Sequence, residues 1–140
     1  MTLFDSSVLI DARDKDSPWH DWAKAQIKGF GSTDGAAVNV VALAEVSVSV
    51  EKPEAVAELL RGWGLELLPL PVSAAAPAAR AYVRYLTRRD KSQTNLPKIP
   101  QPDFFIGAHA EAEGMKLVTR DPDRIKTYFP SVKLIVPKKV

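Results

Sequence analysis

Five short apolar runs, at residues 2–5, 36–40, 65–68, 116–119 and 133–136, punctuate the chain, with longer helix-patterned stretches between them. Runs this short are strands, and strands separated by helices pair in parallel, because each helix must carry the chain back along a face of the sheet. An α/β domain on a parallel sheet follows. Between the first two runs, residues 17–30 read as a helix, with Ser17 as cap, Pro18 in the first turn, and Trp19, Trp22, Ala23 and Ile27 at helical spacing. Those tryptophans are expected to pack in the core. Residues 53–63 form another helix ended by Gly62 and Gly64, residues 73–89 a longer one burying Tyr82, Tyr85 and Leu86, and residues 103–113 a last one stopped by Gly114. Residues 90–102 are polar, carry three prolines and lack periodicity, so they read as a loop.

One segment supports two readings. Residues 46–50 alternate Val and Ser like a strand, yet joining them to 36–40 would make a run of about fifteen residues against the usual five or six. A break at Asn39, whose side chain can cap, followed by a helix is the more economical arrangement.

The 140 residues suit one domain spanning 1–140, large enough to bury roughly two-thirds of the unfolded surface without disulfides or structural zinc. There is no cysteine, which removes thiolate chemistry and Cys-based metal sites. No apolar run approaches the roughly 20 residues of a membrane helix, and residues 1–5 lack the basic start of a signal peptide. A cytoplasmic protein is expected. The net charge of +2 is too small to point to nucleic acid by itself.

Acids carry the chemical signal. Asp5 and Asp121 each follow an apolar strand, at the carboxyl edge where open parallel sheets place ligands, although an aspartate there also caps helices. Asp103 opens a helix after Pro102, where the helix dipole favours a carboxylate. Glu45 lies within the apolar stretch 40–46 with no opposite charge nearby in sequence, and a buried lone carboxylate is costly unless paired or metal-bound. Should the four meet, carboxylates about 4 Å apart repel by about 4 kcal/mol at an effective dielectric near 20. A divalent cation with a taste for hard oxygen ligands, Mg2+ or Mn2+, relieves that repulsion and promotes phosphodiester hydrolysis. Zinc is disfavoured, because only His20 and His109 could supply nitrogen and neither has ligand spacing.

Four blocks now combine: Leu3-Phe4-Asp5-Ser6-Ser7-Val8-Leu9-Ile10, Ala42-Leu43-Ala44-Glu45, Pro102-Asp103-Phe104-Phe105-Ile106-Gly107-Ala108-His109-Ala110, and Leu117-Val118-Thr119-Arg120-Asp121. In order and spacing they resemble the acidic motifs of PIN domains, most nearly the VapC-like toxin nucleases of toxin–antitoxin pairs. The resemblance covers nearly the whole chain. It implies a three-layer α/β/α fold around a parallel sheet of four to five strands, and an endoribonuclease acting on single-stranded or loop RNA with Mg2+ or Mn2+. It implies Asp5, Glu45, Asp103 and Asp121 as catalytic metal ligands, directly or through water, with Ser7 and Thr119 supporting them by hydrogen bonds. A homodimer and a small antitoxin partner are implied as well. Many members carry asparagine at the position of Ser7, which is a departure here. Asp123, after Pro122, reads as a turn or cap.

Arg80, Arg84 and Arg88 share a helix face by four-residue spacing, and with Arg89, Lys91 and Lys98 they make a basic stripe suited to RNA phosphates or to solvent. His109, six residues after Asp103, falls on another helix face and reads as structural. Trp19, Trp22, Leu59, Leu60 and Trp63 could add a partner or dimer face. Two alternatives remain. A PIN-like fold could bind RNA or a partner with little catalysis. An aspartate-based phosphotransfer domain fits less well, since its phosphatase form wants a carboxylate where Ser7 stands.

Overall fold

The structure is a computed structural model that describes residues 1–88 and 101–138. Five strands, β1 (Thr2–Phe4), β2 (Ala36–Asn39), β3 (Leu65–Leu68), β4 (Lys116–Val118) and β5 (Leu134–Ile135), pair in the order β3-β2-β1-β4-β5. Every pairing is parallel, with Thr2 opposite both Ala36 and Lys116. All residues of β1 and β2 are buried, which is why the central strands read as unbroken apolar runs rather than alternating ones. The chain moves outward from β1 through β2 to β3, then crosses back to add β4 and β5 on the other side. The strand order therefore reverses between β1 and β4, and parallel sheets open a crevice at the carboxyl ends beside such a reversal.

Helices α1 (Ser6–Arg13), α2 (His20–Gly31), α3 (Val40–Ser47) and α4 (Glu54–Gly62) precede the reversal, while α5 (Ala75–Arg88), α6 (Pro102–Glu113) and α7 (Asp123–Tyr128) follow it. Right-handed crossovers place the first four on one face of the sheet and the last three on the other, giving the three-layer α/β/α arrangement. Contacts respect those layers: α1 packs on α2 and α3, and α5 on α6 and α7. A contact between α3 and α6 links the two layers.

The sequence-based boundaries need several corrections. The second helix begins at His20, not Ser17, because the Ser17 hydroxyl is spent on a local turn, accepting from the Trp19 N–H at 3.1 Å and donating to Asp11 at 2.9 Å. Residues 72–74 form a 3-10 turn before α5 starts at Ala75. Pro102 belongs to α6 as its first residue, and Asp123 begins the short α7. The ambiguous segment is helix from Val40, and the Asn39 side chain accepts from the Ala42 N–H at 2.9 Å. Arg89, Lys91, Lys98 and residues 90–100 of the expected loop lie outside the described residues. Trp22 packs at the edge of the core as expected, whereas Trp19 stays outside it, and Trp63 and Leu60, offered as parts of a partner face, respectively pack at the core's edge and lie fully buried within it.

Behind the sheet, Phe104 centres an aromatic cluster, with ring centroids at 5.9 Å from Tyr82, 5.4 Å from Tyr85, 5.5 Å from Tyr128 and 6.3 Å from Phe129. The cluster joins α5, α6 and α7 and so fixes where the first turn of α6 stands. Close approach of Phe129 to α6 depends on Gly107, since a Cβ there would lie 2.5 Å from the Phe129 ring. Gly107→Ala is therefore expected to destabilise the fold by about 1–3 kcal/mol, the usual penalty of overpacking, despite its gain in helix propensity. The urea midpoint measures this, and an unchanged or higher midpoint would contradict the packing described.

Candidate active site

Asp5 sits just beyond β1, where the polypeptide turns into α1, and its N–H donates to the Val118 carbonyl at 3.0 Å. It occupies the position before the first helical residue, yet its side chain makes no capping bond. Instead Oδ2 accepts from the Thr119 hydroxyl at 2.8 Å and the Ser7 hydroxyl at 3.0 Å. Both donors are themselves held. Thr119 Oγ1 accepts from the Asp121 N–H at 3.1 Å, and Ser7 Oγ accepts from the Arg120 N–H at 3.2 Å. The ends of β1 and β4 are thus laced together through two hydroxyls, which orient one Asp5 oxygen and leave Oδ1 with only a long 3.5 Å contact from Ser6.

A second network positions Glu45. Asn39 ends β2, caps α3 through Oδ1, and places Nδ2 3.1 Å from Nδ1 of His109 on α6. The amide donates, so the imidazole accepts at Nδ1 and is neutral in this arrangement. Both side chains are buried. In the second turn of α3, Glu45 is half-buried and hydrogen-bonded to the Ser6 side chain.

Asp103 lies in the first turn of α6 and pairs with Arg124 of α7 at 3.2 Å. Asp121 is exposed and stands beyond β4. All four acids line one cleft of about 410 Å³, together with Ser6, Ser7, Gln101, Arg120 and Arg124. Its wall is braced from below, where Arg120 Nε donates to the buried Asp11 at 2.7 Å and the guanidinium lies 4.7 Å from the centre of the Trp19 ring.

The electrostatics of the cleft are those of excess negative charge. Burial raises the Asp5 carboxyl above its ordinary 3.8, against the hydrogen bonds from Thr119, Ser7 and the Ser6 backbone, and the charge of Asp103 adds to the rise. Burial likewise raises Glu45 above 4.5, opposed by the bond to Ser6 and reinforced by Asp5 and Asp103. Three carboxylates thus feel one another from three separate segments. The donor set is all oxygen, which suits a hard divalent cation. Among the described residues, no three acids or histidines already stand at chelating spacing, and Asp103 holds an arginine in the position of a counter-cation.

Residues 2–130 match the family model of the PIN domain. The chain belongs to the PIN-domain family. Among solved structures it is similar to VapBC2 from Rickettsia felis bound to a promoter DNA fragment, at 20% identity over 98% of both chains with a TM-score of 0.72. A toxin–antitoxin complex from Klebsiella pneumoniae matches at 18% identity over the full length of both chains, with a TM-score of 0.68. VapC20 of Mycobacterium tuberculosis, a sarcin–ricin loop cleaving toxin, matches at 14% identity over 95% of this chain and 99% of that one, with a TM-score of 0.58. At these identities the likeness is one of fold. No curated protein is a sequence match.

Several residues of this PIN domain's cleft escape sequence reasoning. Ser6, Arg120 and Arg124, and Asp11 buried behind Arg120, carry no pattern that sets them apart from other polar residues, and only the packed structure shows them. The expected basic stripe divides. Arg84 is engaged, donating to the Tyr128 carbonyl at 2.8 Å, Arg80 is exposed, Arg88 lies 5.8 Å from the Tyr128 ring centre, and Lys98 lies outside the described residues. His109 keeps to the structural role its helix face suggested.

Burial holds the His109 imidazole below its ordinary 6.5, with Glu113 acting weakly the other way. The unfolded chain therefore binds more protons than the folded one as pH falls through 6.5 toward the lower folded value, and stability must drop over that window. Urea midpoints measured between about pH 5 and 8 should show this loss. His109→Gln, which keeps an acceptor for Asn39, should flatten that part of the profile, and an unaltered profile would contradict the assignment.

Proposed function

We propose that this PIN domain is a metal-dependent endoribonuclease that cuts single-stranded or loop RNA as the toxin of a toxin–antitoxin pair. The observation that carries the reading is the meeting of Asp5, Glu45, Asp103 and Asp121 in one cleft, with two of them pushed up in pKa by burial and mutual charge. Carboxylates concentrated this way disfavour folding unless the site needs them, and catalytic sites are where such perturbation collects.

In this reading Asp5, Glu45 and Asp103 hold Mg2+ or Mn2+, with Asp121 joining from the rim directly or through water. The ion supplies charge neutralisation at the phosphate and an acidified water. The chain supplies the rest. Thr119 and Ser7 keep Asp5 in one orientation, as the notion of a supporting hydroxyl pair requires. Ser6 and the Asn39 cap position Glu45 at the cleft. Water adds to phosphorus and gives up a proton to solvent, the bridging P–O bond breaks, and the departing oxygen takes a proton from solvent in turn. Arg124 stands beside Asp103 as a positive charge at the edge of the cleft.

The partners follow from the same reading: RNA as substrate, a small antitoxin that covers the cleft, and a homodimer. A structural relative described as a toxin–antitoxin complex, and another described as a sarcin–ricin loop cleaving toxin, support it. Among the described residues no helix is long and apolar enough to cross a membrane.

Purified protein is expected to cut single-stranded RNA in Mg2+ or Mn2+ and to stop in chelator, and Asp5→Asn should slow cleavage by about two orders of magnitude or more. Cutting that continues in chelator, or at full rate in Asp5→Asn, rejects the metal mechanism. Arg124→Gln removes the resident counter-cation of Asp103, so calorimetric titration should show tighter Mn2+ binding than in the unaltered protein. Weaker binding would place Arg124 outside any competition with the ion.

A further inference from the structure

The acidic cleft does not end at Arg124. That residue also lines a second groove, of about 420 Å³, whose other walls are Tyr85 and Arg88 of α5 and Asp123, Thr127 and Tyr128 of α7. The two depressions therefore share one side chain. In this groove the guanidinium groups lie over aromatic rings. Arg124 lies 5.6 Å from the centre of Tyr85 and 5.7 Å from that of Phe104, and Arg88 lies 5.8 Å from that of Tyr128. The aromatic cluster beneath is the rigid one that joins α5, α6 and α7.

A guanidinium resting over an aromatic ring is restrained by it while keeping N–H groups for a ligand, and Arg124 spends Nη1 on Asp103 and keeps the others. Arg124 is shared with Asp103 of the cleft, so Arg88 and the remaining N–H groups of Arg124 face the single acid of the groove, Asp123. The planar fork of arginine matches the oxygens of a phosphodiester, and two forks along a channel suit a chain of repeated phosphates better than one compact anion. The channel leads away from the place where the reacting phosphate would lie.

We propose that the α5–α7 groove is the strand-binding extension of the active site, in which Arg88 and Arg124 hold a phosphodiester of single-stranded RNA adjoining the one that is cut. This rests on the nuclease reading and gives it a direction: the strand leaves the carboxylates past Arg124 and runs over Tyr128 toward Arg88. Arg88 is a substrate-binding residue away from the reacting atoms. Arg84, bound to the Tyr128 carbonyl, positions the floor of the groove and does not touch the strand.

The test measures binding of a fluorescein-labelled, mixed-sequence single-stranded RNA by anisotropy across a salt series, in an Asp5→Asn background with Mg2+ so that the strand stays whole. Arg88→Gln should weaken binding about tenfold and lower the slope of log affinity against log salt by about 0.7, the value of one single-strand phosphate contact. Arg88→Lys should restore the slope, because it restores the charge, while recovering only part of the affinity. Since Arg88 is exposed, an unchanged melting curve for both variants is expected and separates lost binding from lost fold. An unchanged slope in Arg88→Gln, whether or not affinity falls, overturns the groove, as does failure of the Asp5→Asn protein to bind RNA. The parent reading fails separately, if the unaltered protein does not cut RNA in Mg2+ or Mn2+.

Discussion

Repulsion among carboxylates gathered at the reversal of strand order is the constraint around which this molecule is organised. Asp5, Glu45 and Asp103 come from different layers, and burial leaves each less water with which to screen the others. Everything close to them acts to tolerate that arrangement. Two hydroxyls donate to one oxygen of Asp5, a serine donates to Glu45, and Arg124 supplies positive charge to Asp103. Only Asp121, out at the rim, is left to solvent.

The scaffolding that brings the acids together is polar as well as apolar. The contact between Asn39 and His109 joins the two helical layers at a buried point, and the same asparagine starts the helix that carries Glu45. Asp11, Arg120 and Trp19 perform a comparable task below β4, where an ion pair under an aromatic ring holds the segment that bears Thr119 and Asp121. On the other side Phe104 and its tyrosine neighbours fix α6 against α5 and α7. Glu45, Asp103 and Asp121 thus depend on residues outside the four acidic motifs, whereas Asp5 is held from within them by Ser7 and Thr119.

Much of this was readable in the chain. The five strands lie within the apolar runs that marked them, because central parallel strands need only apolar residues on both faces. Gly114, in the left-handed conformation with φ +62°, ends α6 where a glycine was expected to end it. The break at Asn39 resolves as the helix-cap reading required. Helix starts were less legible. Ser17 and Pro18 look like a helix opening, but Asp11 six residues back claims the serine hydroxyl and the helix begins later. The short α7 has too few residues for periodicity to show, and the same brevity hid Arg124.

The sequence alone determined the layered parallel fold and the four acidic positions, because strand length, apolar runs and the order of motifs are local properties that a single chain displays. It could not say whether Asp5 caps a helix or faces a cleft, since both roles use the same residue at the same place. Tertiary structure decided that question by setting Thr119 and Ser7 against the carboxylate and leaving the helix uncapped. It also decided which cations stand near the acids. Arg120 and Arg124 meet Asp11 and Asp103 across more than a hundred and about twenty residues of chain respectively, and no pattern along the polymer encodes contacts made only when distant segments pack.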